Sequence, residues 1–294
     1  MTNFRNQVKN YFKSLQSEIC KKLSQTDSKS KFSRDKWKKQ KGGGGITRVM
    51  LNGNVIEKGG VNFSAVSGKL PERIAKDFNV PQINYFATGI SIVIHPFHPF
   101  VPIIHANLRY FELENGSSWF GGGMDLTPVY INVTEVKNFH LGLKKICDTF
   151  NKKFYPEFKR SADRYFFIPH RKEKRGAGGI FFDKLGSKHA GSAQEFYPFI
   201  KGIGNYFLPA YLPLISANRY KKFNEKHKEF QLFRRGRYVE FNLVYDLGTK
   251  FGLETAGRAE SILMSLPPLV KWTYDFIPEK DSEEERTMKF LRKK

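Results

Sequence analysis

Asn52-Gly53 stands between two apolar runs, and this dipeptide is typical of the turn in a two-residue β-hairpin. Residues 85–96, 105–114 and 178–185 also carry strand-like patterns. A further strand is predicted at 237–246, where apolar positions alternate with polar ones: Val239, Phe241, Leu243 and Tyr245 against Glu240, Asn242, Val244 and Asp246. Helices do not alternate with these segments in a βαβ rhythm. The pattern therefore predicts an α+β fold, an antiparallel sheet with helices packed on it in a single domain.

Helical periodicity marks the segments around these strands. Apolar residues recur at helical spacing from Phe4 to Leu23, which predicts an amphipathic N-terminal helix. We expect further helices over 136–154, over 191–233 with interruptions at glycine and proline, and over 257–268. The chain is accordingly divided into three parts: an N-terminal helix and polar connector (1–41), the domain that carries the candidate site (42–280), and a charged C-terminal tail that we expect to be partly frayed (281–294).

The chain is strongly basic, because 50 lysine and arginine residues against 28 aspartate and glutamate residues leave a net charge of +22. Such a field concentrates anions, so nucleic acid, a membrane surface and a polycarboxylate are all compatible partners. Much of the excess lies in 21–41 and 221–237, which is equally typical of solvated faces or tails. One hypothesis is therefore a non-catalytic basic protein that binds nucleic acid or other anions, although no recognition helix or RNP-type aromatic pair is evident.

The expected compartment follows from what the sequence lacks. No apolar run approaches the ~20 residues of a membrane span, and the N-terminus has no apolar core followed by a cleavage site. Two cysteines, Cys20 and Cys147, are too few for a disulfide framework and indicate a reducing compartment. We therefore expect a cytoplasmic protein without a membrane span.

Four of the seven histidines lie near strand ends marked by glycine or proline, or on an apolar helix face: His95, His105, His140 and His170. Imidazole binds Zn, Mn, Fe and Cu, so a metal ion could recruit these side chains. Their spacing matches no compact zinc motif, and the alternative is four histidines with separate hydrogen-bond partners.

Other segments have anion-binding potential. "WFGGGMDLTP" (119–128) is rich in glycine, but it is neither a Walker loop nor a dinucleotide fingerprint. "HRKEKRGAGGIFFD" (170–183) predicts a basic loop before a strand. Arg109 lies within an apolar strand, where a half-buried arginine needs an anionic partner, either an internal carboxylate or a substrate carboxylate. The strand predicted at 237–246 ends in Asp246 and leads through glycines to Arg258.

Five long motifs occur in one order: "GGGGITRVMLNGNVIEKGGVNFS" (42–64), "HPFHPFVPIIHANLRYFE" (95–112), "WFGGGMDLTP", "HRKEKRGAGGIFFD" and "GRYVEFNLVYDLGTKFGLETAGRAESILMSLPP" (236–268). Together they closely resemble the oxygen-dependent coproporphyrinogen III oxidase family of haem biosynthesis. The resemblance extends from about residue 5 to residue 277. It implies a large, flat antiparallel sheet covered by helices on both faces, and a homodimer with contacts within 238–274.

The resemblance also implies a reaction. An enzyme of this family oxidatively decarboxylates the ring A and ring B propionates of coproporphyrinogen III to vinyl groups, and the product is protoporphyrinogen IX. Molecular oxygen is the oxidant and no organic redox cofactor takes part, while the need for a divalent metal ion such as Mn varies within the family. A flat tetrapyrrole with four carboxylates fits the arginines, the positive field and the glycine-rich and aromatic segments. Nucleic acid has no place in this reaction.

Site residues follow from the same resemblance, position by position. The substrate-binding positions of the family match Ser91, Asn107, Leu108, Arg109, Ala256, Gly257 and Arg258. His105 matches the proton donor, and Asp246 matches the aspartate that contacts the pyrrole N–H groups, so both are expected to be catalytic. The metal ligands of bacterial members match His95, His105, His140 and His170.

Three positions depart from the family pattern. Leu247 stands where the family usually has arginine, with Lys250 as a candidate replacement. Ala256 stands where the family has glycine, and Met124 where it has alanine, which we expect to be a bulkier neighbour for Asp125. We expect these changes to affect substrate affinity more than the type of reaction.

Overall fold

A seven-stranded antiparallel sheet forms the centre of the computed structural model, which describes residues 3–39, 42–187, 191–254 and 257–292. The strands are β1 (Asp35–Lys38), β2 (Gly43–Leu51), β3 (Ile56–Lys69), β4 (Asn84–Pro96), β5 (Ile103–Leu113), β6 (Ser118–Thr127), β7 (Phe167–Ile168), β8 (Glu173–Lys174) and β9 (Gly178–Leu185). The order across the large sheet is β1-β2-β3-β4-β5-β6-β9, and β7 pairs with β8 separately. The predicted antiparallel α+β fold is confirmed.

Helices lie on both faces of this sheet. They are α1 (Asn3–Asp27), α2 (Glu72–Phe78), α3 (Val133–Asp148), α4 (Phe154–Tyr165), α5 (Ala193–Asn218), α6 (Glu225–Val244), α7 (Leu247–Glu254), α8 (Ala259–Leu263) and α9 (Glu283–Arg292). A short 3₁₀ turn, Pro169–Arg171, connects β7 to β8.

One face of the sheet is apolar, because successive side chains of a strand point to opposite sides. On this face Leu108 lies opposite Ile90, and the next row contains Ile92, Ala106 and Met124. The helices α1, α3 and α5 cover the apolar face, and their buried residues join those of the strands in one continuous hydrophobic core.

The opposite face, called the polar face below, is covered by helices around its margins. At one end Tyr238 of α6 packs with Val93 and Ile103. At the other end α2 packs against a cluster that contains Tyr85 and Trp119. A strip of the sheet between these ends carries polar residues and glycines instead of apolar side chains.

The strand predicted at 237–246 is wrong, because these residues belong to α6. Asn224 begins this helix with a capping box that involves His227. All residues from Phe233 to Val239 are then buried, so the middle of the helix is enclosed on every side. Leu243, predicted to share the face of Phe241, is 48% exposed. Ten residues that alternate by chance mimicked a strand, and a helix that is buried on most sides has no clear apolar stripe to reveal its period.

Other boundaries also differ from the predictions. The helix predicted over 136–154 ends at Asp148, and α4 begins separately at Phe154. No interruption occurs in α5, which continues through three prolines because it is buried on several sides and packing outweighs the lost backbone bonds. The helix predicted over 257–268 is shorter, and the N-terminal connector contains β1. The C-terminal segment is not frayed over 283–292, where α9 buries Met288 and Leu291.

Asp27 ties the end of α1 to the hairpin between β2 and β3. Its buried carboxylate accepts backbone N–H bonds from Ser30 (2.9 Å), Val55 (2.8 Å) and Ile56 (2.9 Å). A Cβ on Gly53 would lie 2.2 Å from Asp27 Oδ2, so this contact requires glycine at the hairpin turn. Burial acts to raise the pKa of Asp27, but the backbone N–H groups outweigh it and hold that pKa below its ordinary value.

We expect Asp27→Asn to lower the free energy of unfolding by about 2 kcal/mol at pH 7, because neutral hydrogen bonds replace bonds to a charged acceptor. The folded-state pKa is depressed, so the carboxylate stabilises the protein above the unfolded-state pKa of ~4 and loses this effect as the pH falls. Denaturant unfolding of both proteins should therefore show a difference that shrinks towards about pH 3.

Asp163→Asn is the control, because Asp163 forms a more exposed pair with Lys159 on α4. It should change the free energy of unfolding by less than about 1 kcal/mol. An Asp27→Asn deficit that is the same at both pH values would contradict the electrostatic account.

Candidate active site

A groove crosses the polar face between its two covered ends. We define the groove by two rows of facing residues, Thr47, Asn62, Ser91, Asn107 and Gly123 in one row and Gly45, Ser64, Gly89, Arg109 and Gly121 in the other. The polar side chains on β3, β4 and β5 are half-buried. Gly89 and Gly123 leave part of the floor without side chains, so a flat molecule can approach the backbone closely there, whereas Trp37 lies over Gly45.

Arg109 crosses β6 to reach the edge strand β9. Its Nη2 donates to Asp183 Oδ1 at 2.8 Å, and its Nη1 lies 3.4 Å from Asn107 Oδ1. A Cβ on Gly121 would lie 2.7 Å from Arg109 Nη2 and 2.6 Å from Asp183 Oδ1. Glycine at position 121 thus leaves room for the ion pair that passes over it. The sequence analysis left two partners open for Arg109, an internal carboxylate and a substrate carboxylate. The structure shows an internal one, Asp183.

Arg258 lies at the opposite end of the groove. It precedes α8, and its guanidinium is paired with Asp35 of the edge strand β1. Ser261, one turn further along α8, forms a 2.6 Å hydrogen bond with Thr47 of the groove. The helix α8 therefore forms the wall at this end.

His105 lies on the polar face, one row beyond Asn107 and towards α6. Its Nδ1 donates to Asp125 Oδ1 at 2.7 Å, and Arg175 Nη2 donates to Asp125 Oδ2 at 2.6 Å. Burial acts to raise the pKa of Asp125, but Arg175 and His105 outweigh it and hold that pKa below its ordinary value. The ionised carboxylate fixes the orientation of His105 and leaves Nε2 for proton exchange.

Arg175 is buried among aromatic rings. Its guanidinium carbon lies 4.2 Å from the ring centre of Phe166 and 4.7 Å from those of Tyr238 and Phe241. The sequence analysis missed Arg175 and Asp125 as site residues. The sequence did contain an indication of both residues. Each lies in a glycine-rich motif, and a charged residue that becomes buried requires a partner of opposite sign.

Asp246 follows α6 and caps α7. It accepts hydrogen bonds from the Thr249 backbone N–H (2.7 Å), the Thr249 hydroxyl (2.8 Å) and the Tyr165 hydroxyl (2.8 Å). The Tyr165 ring stacks on Phe181 with centroids 4.2 Å apart, and Phe181 lies opposite Gly123 of the groove. Asp246 therefore borders the groove through Tyr165. Its helix-capping contacts are observed, and its catalytic role stays a prediction.

Some predicted positions lie away from the groove. The side chain of Leu108 points to the apolar face, where it packs beside α5. Met124 points to the same apolar face, so its size does not affect the groove beside Asp125. Gly257 donates its N–H to the Gly252 carbonyl at 2.8 Å in the turn before α8. Ala256 lies outside the described residues.

The four histidines have separate surroundings. His95 is fully buried and its Nε2 bonds to the Ser265 carbonyl at 2.8 Å, while burial, aided by Arg235, lowers its pKa to about 3. His140 lies between the Tyr155 hydroxyl and the Ala177 carbonyl, at 3.0 Å from each.

His170 contacts the Tyr245 hydroxyl at 2.7 Å and Glu240 at 2.8 Å. In the described part of the chain, no three or more His, Cys, Asp or Glu side chains are placed to hold one metal ion. His95 Nδ1 is buried without a hydrogen-bond partner, but among the described residues it belongs to no group of three or more candidate ligands. The four histidines do not form a shared set of ligands in the described residues, and their role as metal ligands stays a prediction.

Taken together, the groove has a cation at each end, polar side chains along its floor, and a histidine–aspartate pair on one side. This arrangement suits a flat molecule with carboxylates at its periphery. In agreement with it, the model of the coproporphyrinogen III oxidase family matches residues 7–294 of the chain.

The two roles of Asp246 can be separated by two variants. We expect Asp246→Asn, which keeps the shape but removes the charge, to lose at least ~10²-fold in kcat with near-normal folding. Thr249→Val removes one capping hydrogen bond and keeps the carboxylate, so it should lower stability by about 1 kcal/mol and leave kcat within a few-fold. Near-normal turnover by Asp246→Asn would leave Asp246 with the capping role alone.

Proposed function

The chain belongs to the coproporphyrinogen III oxidase family, and we propose that it uses molecular oxygen to convert the ring A and ring B propionates of coproporphyrinogen III to vinyl groups. The product is protoporphyrinogen IX. The observation that carries this proposal is the match over residues 7–294. The groove supports it, because an arginine lies at each end where the carboxylates of a flat tetrapyrrole would reach.

The chemistry at each propionate is balanced as follows. A hydrogen leaves the carbon attached to the pyrrole ring together with its electron pair, the carboxylate leaves as CO₂, and the vinyl double bond forms. The two electrons, with two protons, reduce O₂ to H₂O₂. The porphyrinogen is therefore the reductant. The protein needs to orient it and to donate and accept protons.

Each part of the groove has a role in this proposal. Arg109 and Arg258 bind propionates through charge-assisted hydrogen bonds, and Ser91 and Asn107 hydrogen-bond to the substrate from the floor. His105 exchanges a proton through Nε2 while Asp125 holds its Nδ1–H in place. Asp246 accepts hydrogen bonds from the pyrrole N–H groups and stabilises positive charge as the ring is oxidised.

We propose that no organic redox cofactor takes part, since the sequence contains no dinucleotide fingerprint. No step above uses a metal ion. Whether the enzyme also requires a divalent ion such as Mn is tested by measuring its activity with and without a chelator.

A homodimer is proposed from an exposed apolar segment. Leu269, Trp272, Tyr274 and Ile277 are 55–99% exposed and lie close together in sequence. Tyr238, within the range expected from the resemblance, is buried inside the chain, so its side chain is not available to a partner. Sedimentation equilibrium would test the dimer.

Among the described residues no helix has the length and apolar character to cross a membrane. We propose a cytoplasmic location, which cell fractionation tests.

We expect vinyl product to form in air and to stop in anaerobic buffer, even with added nicotinamide or flavin. The readout is fluorescence of the oxidised product, with and without a chelator. Full anaerobic turnover would refute the role of O₂, and loss of activity with chelator, restored by Mn²⁺, would establish a metal requirement. Salt-sensitive nucleic-acid binding without any turnover would favour the non-catalytic alternative.

Arg109→Ala and Arg258→Ala are each expected to raise KM by at least ~10-fold, since each loses a charge-assisted contact worth roughly 1.5–3 kcal/mol. Lysine should restore KM only in part, because it cannot form the bidentate fork. Leu247→Arg should tighten binding or leave it unchanged, because Leu247 is exposed and its replacement disturbs no core. Unchanged KM in both alanine variants would refute the carboxylate contacts.

A further inference from the structure

We propose that Asp183 and Asp35 limit how many carboxylates the groove accepts at each end, and so select porphyrinogens with one carboxylate arm per pyrrole ring. This inference rests on the proposed function, because it assigns Arg109 and Arg258 to carboxylate binding. Asp183 and Asp35 then become specificity-determining residues that act through these arginines.

At the β9 end of the groove, the ion pair of Arg109 and Asp183 leaves room for one ligand carboxylate. Only one nitrogen of Arg109, Nη2, is within 3.0 Å of Asp183, at 2.8 Å from Oδ1. The side chains of Arg109 and Asp183 are 40% and 44% exposed, so a ligand can reach both. A guanidinium has five N–H donors in a planar fork, so Arg109 can bind one ligand carboxylate without releasing Asp183.

A second ligand carboxylate at this end would meet a different environment. Asp183 also lines a neighbouring cavity of about 410 Å³, together with Glu157 and Arg164. The cavity walls therefore carry two acidic side chains and one basic side chain. Arg109 itself already donates to Asp183. A further carboxylate would face more acidic than basic side chains in this cavity, which disfavours such ligands.

The β1 end repeats this pairing with different elements. Arg258 is paired with Asp35, and their side chains are 35% and 49% exposed. The chain as a whole has 22 more basic than acidic side chains. Even so, each arginine at an end of the groove is matched by one aspartate from an edge strand of the sheet. Each of these two arginines thus has a carboxylate partner, although the protein is strongly basic.

This arrangement should distinguish porphyrinogens by the group that lies beside each propionate. Coproporphyrinogen carries one methyl and one propionate on each pyrrole ring. A related porphyrinogen with acetate in place of each methyl carries eight carboxylates, two per ring. The second carboxylate of such a ring would lie near Asp183 or Asp35, so these residues disfavour the octacarboxylate and tolerate the tetracarboxylate.

Binding of the fluorescent oxidised porphyrins to the full chain tests this at fixed ionic strength. Kd is measured for the tetracarboxylic and the octacarboxylic porphyrin, and their ratio reports selectivity. We expect Asp183→Asn and Asp35→Asn each to reduce the preference for the tetracarboxylate by about two- to fivefold, the range of an exposed charge pair. The double variant should show roughly the product of the two effects, because the sites are separate.

Asp148→Asn is the matched control. Asp148 is paired with Lys144 on α3, which packs on the apolar face, so the ratio should not change. An unchanged ratio in both groove variants would overturn the inference. An equal loss of affinity for both porphyrins would also overturn it, because Asp183 would then only position Arg109.

The assay separates this inference from the proposed function. If the tetracarboxylate and the octacarboxylate are discriminated as expected but no vinyl product forms in air, the charge selection stands and the oxidase proposal fails. If product forms normally and the selectivity ratio does not respond to the variants, the oxidase proposal stands and the charge selection fails.

Discussion

The buried ion pair between Arg175 and Asp125 connects the parts of the molecule that form the site. Both side chains are 2% exposed, and removing one partner of such a pair typically costs ~3–5 kcal/mol. Asp125 belongs to β6 and holds His105 of β5, while Arg175 also bonds to Asn242 of α6 at 3.2 Å. The same pair therefore anchors α6 on the sheet and sets the orientation of the histidine.

The two-sided sheet places this pair beside the groove. Its apolar face is buried under α1, α3 and α5, so the polar residues of β3, β4 and β5 must lie on the other face. The helices that cover the two ends of the polar face leave a strip whose ends carry Arg109 and Arg258. The basic surface attracts anions over a long range, whereas we propose that selection among anions depends on these paired groups.

Some of the fold and site could be predicted from the sequence. The strands near 85–96 and 178–185 were predicted correctly, because short runs rich in β-branched and aromatic residues favour strands. The helix α6 was mistaken for a strand, because a short window of it also alternates. Ser91, Asn107 and Arg109 were identified from the motifs and do lie together, but Leu108 between them faces the opposite side of the sheet.

The sequence by itself determined the antiparallel α+β class, the hairpin between β2 and β3 and the membership in a family, because these depend on local patterns of apolar residues, turns and motifs. Only the tertiary structure decided which charges meet. Arg175 and Asp125 are 50 residues apart, Arg109 and Asp183 are 74 apart, and Arg258 and Asp35 are 223 apart. Partners at such separations depend on strand order and helix placement, which local periodicity does not encode. For the same reason the four histidines, similar in sequence context, have separate surroundings in the fold.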